Sequence, residues 1–359
     1  MLASQYHKKR NAMHCVSTEQ KYINMLPIKI IGTGIYAPGE PIDNQELKTL
    51  AGIDFDHQKI EEKLGILKRH IAHLRGIKET TADFATKAAE NAIADAGILA
   101  SEIGLFIVAT DTPEYISPAT SIVVQGRIQK GETWSSTFDV GASCASFSIA
   151  LDNAVRILAT DDTIRYAVVV GVYNMPAYIR PGDAFGYSIF ADGAGAFVIE
   201  KSTDIKSKYI AGQLFTDGTQ WDYVGVYAGG TKIPVTPEVI AKGEQGLLNI
   251  QPLPGHRNVR LWPMVVNKLL EKAESTVDDV NHFIFTQINK SVILKVMHEL
   301  NQPIEKTSFV MDRYGYTGSG CLPMAFHHAV KEGKIKRGDK IVLMASGAGL
   351  AVGSNYFIY

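Results

Sequence analysis

The residue best placed to do chemistry is a cysteine among small neighbours: Asp139-Val140-Gly141-Ala142-Ser143-Cys144-Ala145-Ser146-Phe147. After it, Ile149, Leu151, Ala154, Val155 and Leu158 recur at helical spacing, so Cys144 is expected at a strand-to-helix turn. Unpaired N–H groups at a helix start stabilise an anion and lower a thiol's pKa. A thiolate made this way attacks thioesters and carries an acyl group. The competing reading is a small buried core cysteine, the common state of free thiols. Cys321 follows a comparable turn, Gly318-Ser319-Gly320, and also precedes a helical pattern. Cys15 has no such context. Three cysteines without metal-type spacing predict neither a disulfide framework nor a metal site. Reduced thiols suit a cytoplasmic protein.

The elements that must position Cys144 are those of an α/β protein. Ile28–Ile31, Leu105–Ala109, Ala167–Gly171 and Ile341–Ala345 are continuous apolar runs of the kind that form buried strands. Residues 81–96 predict a helix, with Ala85, Ala88, Ala89, Ala92, Ile93 and Ala96 on one face, a capping signal at Thr80–Asp83 and Gly97 at its end. The chain repeats itself: Ile103 and Val280, like Cys144 and Cys321, stand 177 residues apart in matching contexts. Two halves of one βα design are the economical explanation. The expected division is an extension at 1–25, expected to be disordered, a first half at 26–200, a Gly- and Pro-rich boundary region at 201–258, and the rest of the second half at 259–359.

Composition narrows the function. The 359 residues carry 36 Lys+Arg and 37 Asp+Glu, a net charge of −1, which argues against a polyanion binder and hence against a nucleic-acid partner. With 46% hydrophobic and 20% charged residues the chain can bury a large core, and no apolar run is long enough for a membrane span. His7-Lys8-Lys9-Arg10 is followed by no apolar stretch, so no secretory signal is expected. Gly32-Thr33-Gly34 is followed by Pro38 and Gly39 rather than a helix and is not a dinucleotide fingerprint.

Several segments together resemble the β-ketoacyl-acyl-carrier-protein synthase III family of the thiolase superfamily. They are IKIIGTGIYAPGEPIDNQEL (28–47), GILKRHIA (65–72), FDVGASCASFSIAL (138–151), IFADGAGAFVIE (189–200), VMDRYGYTGSGCLPMAF (310–326) and GAGLAVGS (347–354). Their order and spacing, over residues 27–359, make the resemblance specific. It implies a thiolase-like fold of two βαβαβαββ halves stacked in five layers, a homodimer, and an acyl-Cys144 intermediate. The substrates would be acyl-CoA or acyl-acyl-carrier protein, with no bound cofactor, in fatty acid or related secondary-metabolite biosynthesis. The backbone N–H groups of Cys144 and Ala348, the latter in Gly347-Ala348-Gly349, would form an oxyanion hole.

The departures are as informative. The family's triad is Cys-His-Asn. Its histidine opens a His-Gln-x-Asn motif, and here Thr286-Gln287-Ile288-Asn289 keeps the Gln and Asn while Thr286 replaces the His. Its asparagine maps onto Tyr316 in Gly315-Tyr316-Thr317. Losing each donor to a developing oxyanion should cost ~3 kcal/mol or more. Acylation of Cys144 is expected to survive, with Thr286 and Tyr316 as altered catalytic positions. His282 is too far along its strand to stand in for the missing imidazole, and His327 and His328 are expected to serve packing or the surface. Glu114, in the loop after the first-half strand, is either a replacement base or a solvated side chain. Where the family's coenzyme A clamp has Trp and Arg, this chain has Lys59 and Lys63, of which Lys63 could hold a phosphate. Two readings follow. One is an acyltransferase or condensing enzyme working through Cys144. The other is a non-decarboxylating acyltransferase or impaired acyl-binding partner subunit.

Overall fold

The computed structural model describes residues 27–204, 206–251 and 256–359. The extension expected over 1–25, and Cys15 within it, lie outside the described residues. The first half builds a five-stranded sheet from β1 (Ile28–Tyr36), β2 (Ile103–Ala109), β3 (Ser136–Val140), β4 (Tyr166–Tyr173) and β5 (Gly193–Lys201), in the order β1-β5-β4-β2-β3. The second builds a four-stranded sheet from β6 (Lys208–Gln220), β7 (His282–Phe285), β8 (Lys340–Gly347) and β9 (Gly349–Ile358), in the order β7-β8-β9-β6. The pairings repeat. β1–β5 and β5–β4 are antiparallel and β4–β2 parallel, and β6–β9, β9–β8 and β8–β7 follow in the same sense. An isolated parallel bridge from Phe283 to Thr307 stands where the first half has β3. The duplication read from the 177-residue offset is therefore one of topology.

Helices cover these sheets: α1 (Thr81–Ala96), α2 (Thr120–Gln129), α3 (Ser146–Thr160), α4 (Arg257–Lys272), α5 (Lys290–Glu299) and α6 (Cys321–Lys331). α3 and α6, each opened by one of the two equivalent turns, lie between the sheets: α3 packs on β4 and β9, and α6 on β5. α1 covers the outer face of the first sheet and α4 that of the second. This is the expected five-layer order. α1 spans the predicted residues, with the Thr80 N–H donating to Asp83 at 2.8 Å and Gly97 (φ 67°) ending it.

Gly32 and Gly34 prove to be packing glycines. A Cβ at either would come within 2.4 Å of the Ala92 backbone, so their absence of side chain lets α1 lie directly on β1. On the other side, Trp262 of α4 stacks on Phe285 at 5.6 Å and its indole N–H donates to the Ser346 hydroxyl. The boundary region of 201–258 is divided by the structure. β6 belongs to the second sheet, whereas Val224–Val226 and Leu247–Asn249 pair with each other in a lobe of their own. The fully buried run of β4 has β2 and β5 as neighbours, so its burial is met within one chain. The edge of the sheet is β3.

Candidate active site

Cys144 follows Ser143, which is held at φ 49°, and is separated from α3 by Ala145 alone. A left-handed backbone at a side-chain-bearing residue costs energy, and such strain is kept where a turn must present the next residue. Gly347 packs straight onto this turn. A Cβ there would lie 2.7 Å from Ala142 O and Cys144 N, so the Gly347-Ala348-Gly349 loop can reach the Cys144 turn only because position 347 has no side chain.

Together they floor a cavity of about 370 Å³. Met175, Phe185, Phe190 and Leu247 give it apolar walls, Tyr173 and Tyr316 stand beside the cysteine, and Trp221, Arg257 and Asn258 lie toward the separate lobe. An apolar cavity with a few polar groups around one thiol has the character of a small-molecule site.

The electrostatics of the thiol differ from the sequence expectation. Burial pushes the Cys144 thiol well above its ordinary range, and the charge of Asp111 adds to this. Hydrogen bonds from Tyr316 and from its own backbone N–H work the other way. In the resting site desolvation therefore outweighs the helix start, and the thiol waits protonated. Cys321 is likewise pushed up, to about 12, by burial, and the Gln287 N–H donates to its sulfur at 3.5 Å.

Of the positions singled out from sequence, the cavity brings together Cys144, Tyr316, Gly347 and Ala348. Tyr316 is fully buried, with its ring 5.9 Å from Phe190 and 6.3 Å from Tyr173. The rest stand elsewhere. Thr286 is buried but does not line the cavity, and its hydroxyl accepts from the Ser346 N–H at 3.0 Å, tying the end of β7 to β8. Asn289 caps α5 by accepting from the Val292 N–H. Lys63 is exposed on the turn of helix at Ile60–Leu64, where its backbone carbonyl accepts from Ser291. Among the described residues the one cation on the cavity wall is Arg257.

The three histidines weighed from the sequence pair with hydroxyls away from the cavity. His282 Nε2 meets the Ser308 hydroxyl at 2.8 Å, His327 meets Thr33, and His328 meets Tyr314. Glu114 caps α1, accepting from the Ala82 N–H at 2.8 Å and the Thr80 hydroxyl at 2.7 Å. Sequence reasoning passed over Asp111, Tyr173 and the wall residues. The one available signal was that Asp111 stands two residues beyond the end of β2, on the same side of the sheet as the Cys144 turn.

Comparison with known proteins agrees with this geometry. Residues 138–218 match the family described as 3-oxoacyl-[acyl-carrier-protein (ACP)] synthase III, and residues 270–358 match its C-terminal counterpart. The chain is 32% identical over 326 residues to the β-ketoacyl-[acyl-carrier-protein] synthase III of Aquifex aeolicus, covering 91% of this chain and 97% of that one. It is 32% identical over 336 residues to the synthase III of Syntrophomonas wolfei, covering 91% and 96%. The solved Aquifex aeolicus structure superposes with a TM-score of 0.80 at 30% identity over 92% of this chain and 100% of that one. The priming β-ketosynthase of the R1128 polyketide pathway gives 0.80 at 25% identity over 93% and 97%.

Proposed function

The chain belongs to the 3-oxoacyl-[acyl-carrier-protein] synthase III family, and we propose that it transfers acyl groups through a thioester on Cys144. It is an acyl-thioester transferase of the condensing-enzyme type. The observation that carries the mechanism is the seating of Cys144 on a strained turn at the floor of an apolar cavity, with the Gly347–Gly349 loop against it. The thiol attacks the donor thioester, the Cys144 and Ala348 N–H groups receive the developing oxyanion, and the chain lies against Met175, Phe190 and Leu247. The donor arrives as a coenzyme A or acyl-carrier-protein thioester in the cytoplasm. Its phosphate end is met by Arg257 rather than Lys63, because Arg257 is the cation on the cavity wall.

No imidazole lines the cavity among the described residues, and the Thr286 hydroxyl is committed to the Ser346 backbone. Both observations favour acyl transfer without decarboxylation of a malonyl partner. The working unit is a homodimer. β3 is the open edge of the first sheet, and Tyr115, Ile116, Ile122 and Trp134 are exposed around it. An unpaired edge flanked by apolar side chains is a template for pairing with a second copy.

Peptide mapping after incubation with an acyl thioester tests the nucleophile. The added acyl mass should fall on the peptide holding Cys144 and vanish in Cys144→Ala. Label on Cys321 that persists in Cys144→Ala would contradict the assignment.

A further inference from the structure

One carboxylate in the cavity has no task in the mechanism so far. Asp111 lines the cavity with Ser143 and Cys144, and its Oδ1 is shut off from solvent without a hydrogen-bond partner. Its loop is pinned on both sides. Thr110 N–H donates to Val140 O, the Thr112 hydroxyl accepts from the Asn174 N–H, and Thr112 O accepts from the Thr81 hydroxyl. A buried acceptor atom left open in a pinned loop costs stability, and such a cost is characteristic of functional sites. The protonated Cys144 thiol, for its part, needs a base before it can attack.

We propose that Asp111 is the proton carrier of this acyl transfer, and that the acceptor is therefore a neutral nucleophile still bearing a proton (a thiol, hydroxyl, amine or activated carbon acid) rather than a malonyl group. This deepens, and rests on, the acyl-Cys144 reading. In acylation, Asp111 takes the thiol proton as sulfur bonds to the acyl carbon. The carbon–sulfur bond to the donor breaks, and the departing thiolate receives that proton. In transfer, Asp111 takes the acceptor's proton as the acceptor bonds to the acyl carbon. The bond to Cys144 breaks, and the proton passes to its sulfur. Each half returns Asp111 to its ionised form. A malonyl carboxylate, by contrast, would be placed beside a second buried negative charge, which like-charge repulsion opposes.

Burial raises the Asp111 carboxyl to about 6, while its own backbone N–H and the Ser143 hydroxyl pull it down. A base with that value is half ionised just below neutrality. The other groups facing it are Cys144, Tyr173 and Tyr178, with Tyr316 and Cys321 behind. Burial holds all five above their ordinary values, and Arg257 stays charged throughout. Asp192, raised by burial to about 7, is joined to the same loop through Asn174, which donates to Asp192 and to the Thr112 hydroxyl, so an inflection near pH 6 belongs to Asp111 when Asp111→Asn removes it.

The test follows Cys144 acylation by hexanoyl-N-acetylcysteamine with intact mass, and then return of the acyl group to added N-acetylcysteamine, for the full chain and Asp111→Asn. In the unsubstituted protein both rates should rise with pH through about 6. In Asp111→Asn both should fall ~100-fold or more, as loss of an acid–base group does, and lose that inflection. The proposal is overturned if Asp111→Asn keeps both rates within ~3-fold, well short of an acid–base effect. A flat profile in the unsubstituted protein overturns it too, and needs no variant to fold. Failure of the unsubstituted protein to label Cys144 at any pH would overturn the acyl-enzyme reading and this proposal with it.

Discussion

Asp111 and Glu114 lie three residues apart in one loop, and their carboxylates have opposite roles. Glu114 turns back to α1 and spends both oxygens on its first turn, whereas Asp111 leaves the end of β2 toward Cys144. A single Asp or Glu in a loop carries no direction in the sequence; the strand end decides it. Cys144, by contrast, was legible, because small residues on both sides followed by helical spacing describe a turn that must admit a close neighbour. The consequence for its charge was not legible, because burial rather than the helix start dominates the thiol. Asp111 also leaves a signature in stability. Its folded carboxyl is raised to about 6, so the native state binds more protons than the unfolded chain between about 4 and 6. Stability contributed by this group is thus full below about 4 and is lost as pH rises through about 6. Asp111→Asn removes that loss, so thermal melting should give a higher Tm than the unsubstituted protein at pH 7, with the gain shrinking toward pH 4.

At the scale of elements, the buried strands and α1 follow from pattern alone, since continuous apolar runs and an alanine face permit few alternatives. β1, β2, β4, β8 and α1 stand where the sequence puts them. The lobe between β6 and α4 was legible as a break in pattern but not as a cavity wall, because its contribution of Trp221, Val224 and Leu247 depends on how it folds over the site. The cap on α1 supplies a prediction. In Glu114→Ala the Ala82 N–H loses its acceptor, and the Thr80 hydroxyl keeps only the longer contact to Asp83 at 3.3 Å. The variant should be destabilised by ~1–2 kcal/mol in denaturant unfolding, the usual cost of a lost cap. Its acylation rate should be unchanged; a large loss of acylation would instead return Glu114 to the chemistry.

At the scale of the molecule, the duplication explains why one chain carries two similar cysteine turns. The Cys144 turn opens under the lobe, whereas the Cys321 turn is packed against the first sheet, where a Cβ on Gly171 would sit 2.3 Å from Ser319 O. Sequence offset shows two equivalent turns, and only the packing of one half on the other says which is accessible. The β3 edge gives the assembly its test. Trp134 is fully exposed in the single chain. Trp134→Lys should shift light scattering from a dimer toward the 39.2 kDa chain mass, and an unsubstituted protein that is already monomeric at micromolar concentration would contradict the dimer.

We propose a Cys144 that is loaded with an acyl group in a site that does not decarboxylate malonyl thioesters. Acyl-Cys144 formation from an acyl thioester and carbon dioxide release from malonyl-acyl-carrier protein, measured on one preparation, decide this. By the resemblance, Thr286 and Tyr316 stand where the family has two donors, each worth roughly 10²–10³ in rate at an oxyanion site. Acylation should be ready, carbon dioxide release should lie at least ~100-fold below the ~1 s⁻¹ of an ordinary enzyme, and that release should rise for Thr286→His with Tyr316→Asn. Release at ~1 s⁻¹ or faster by the unsubstituted protein would contradict it.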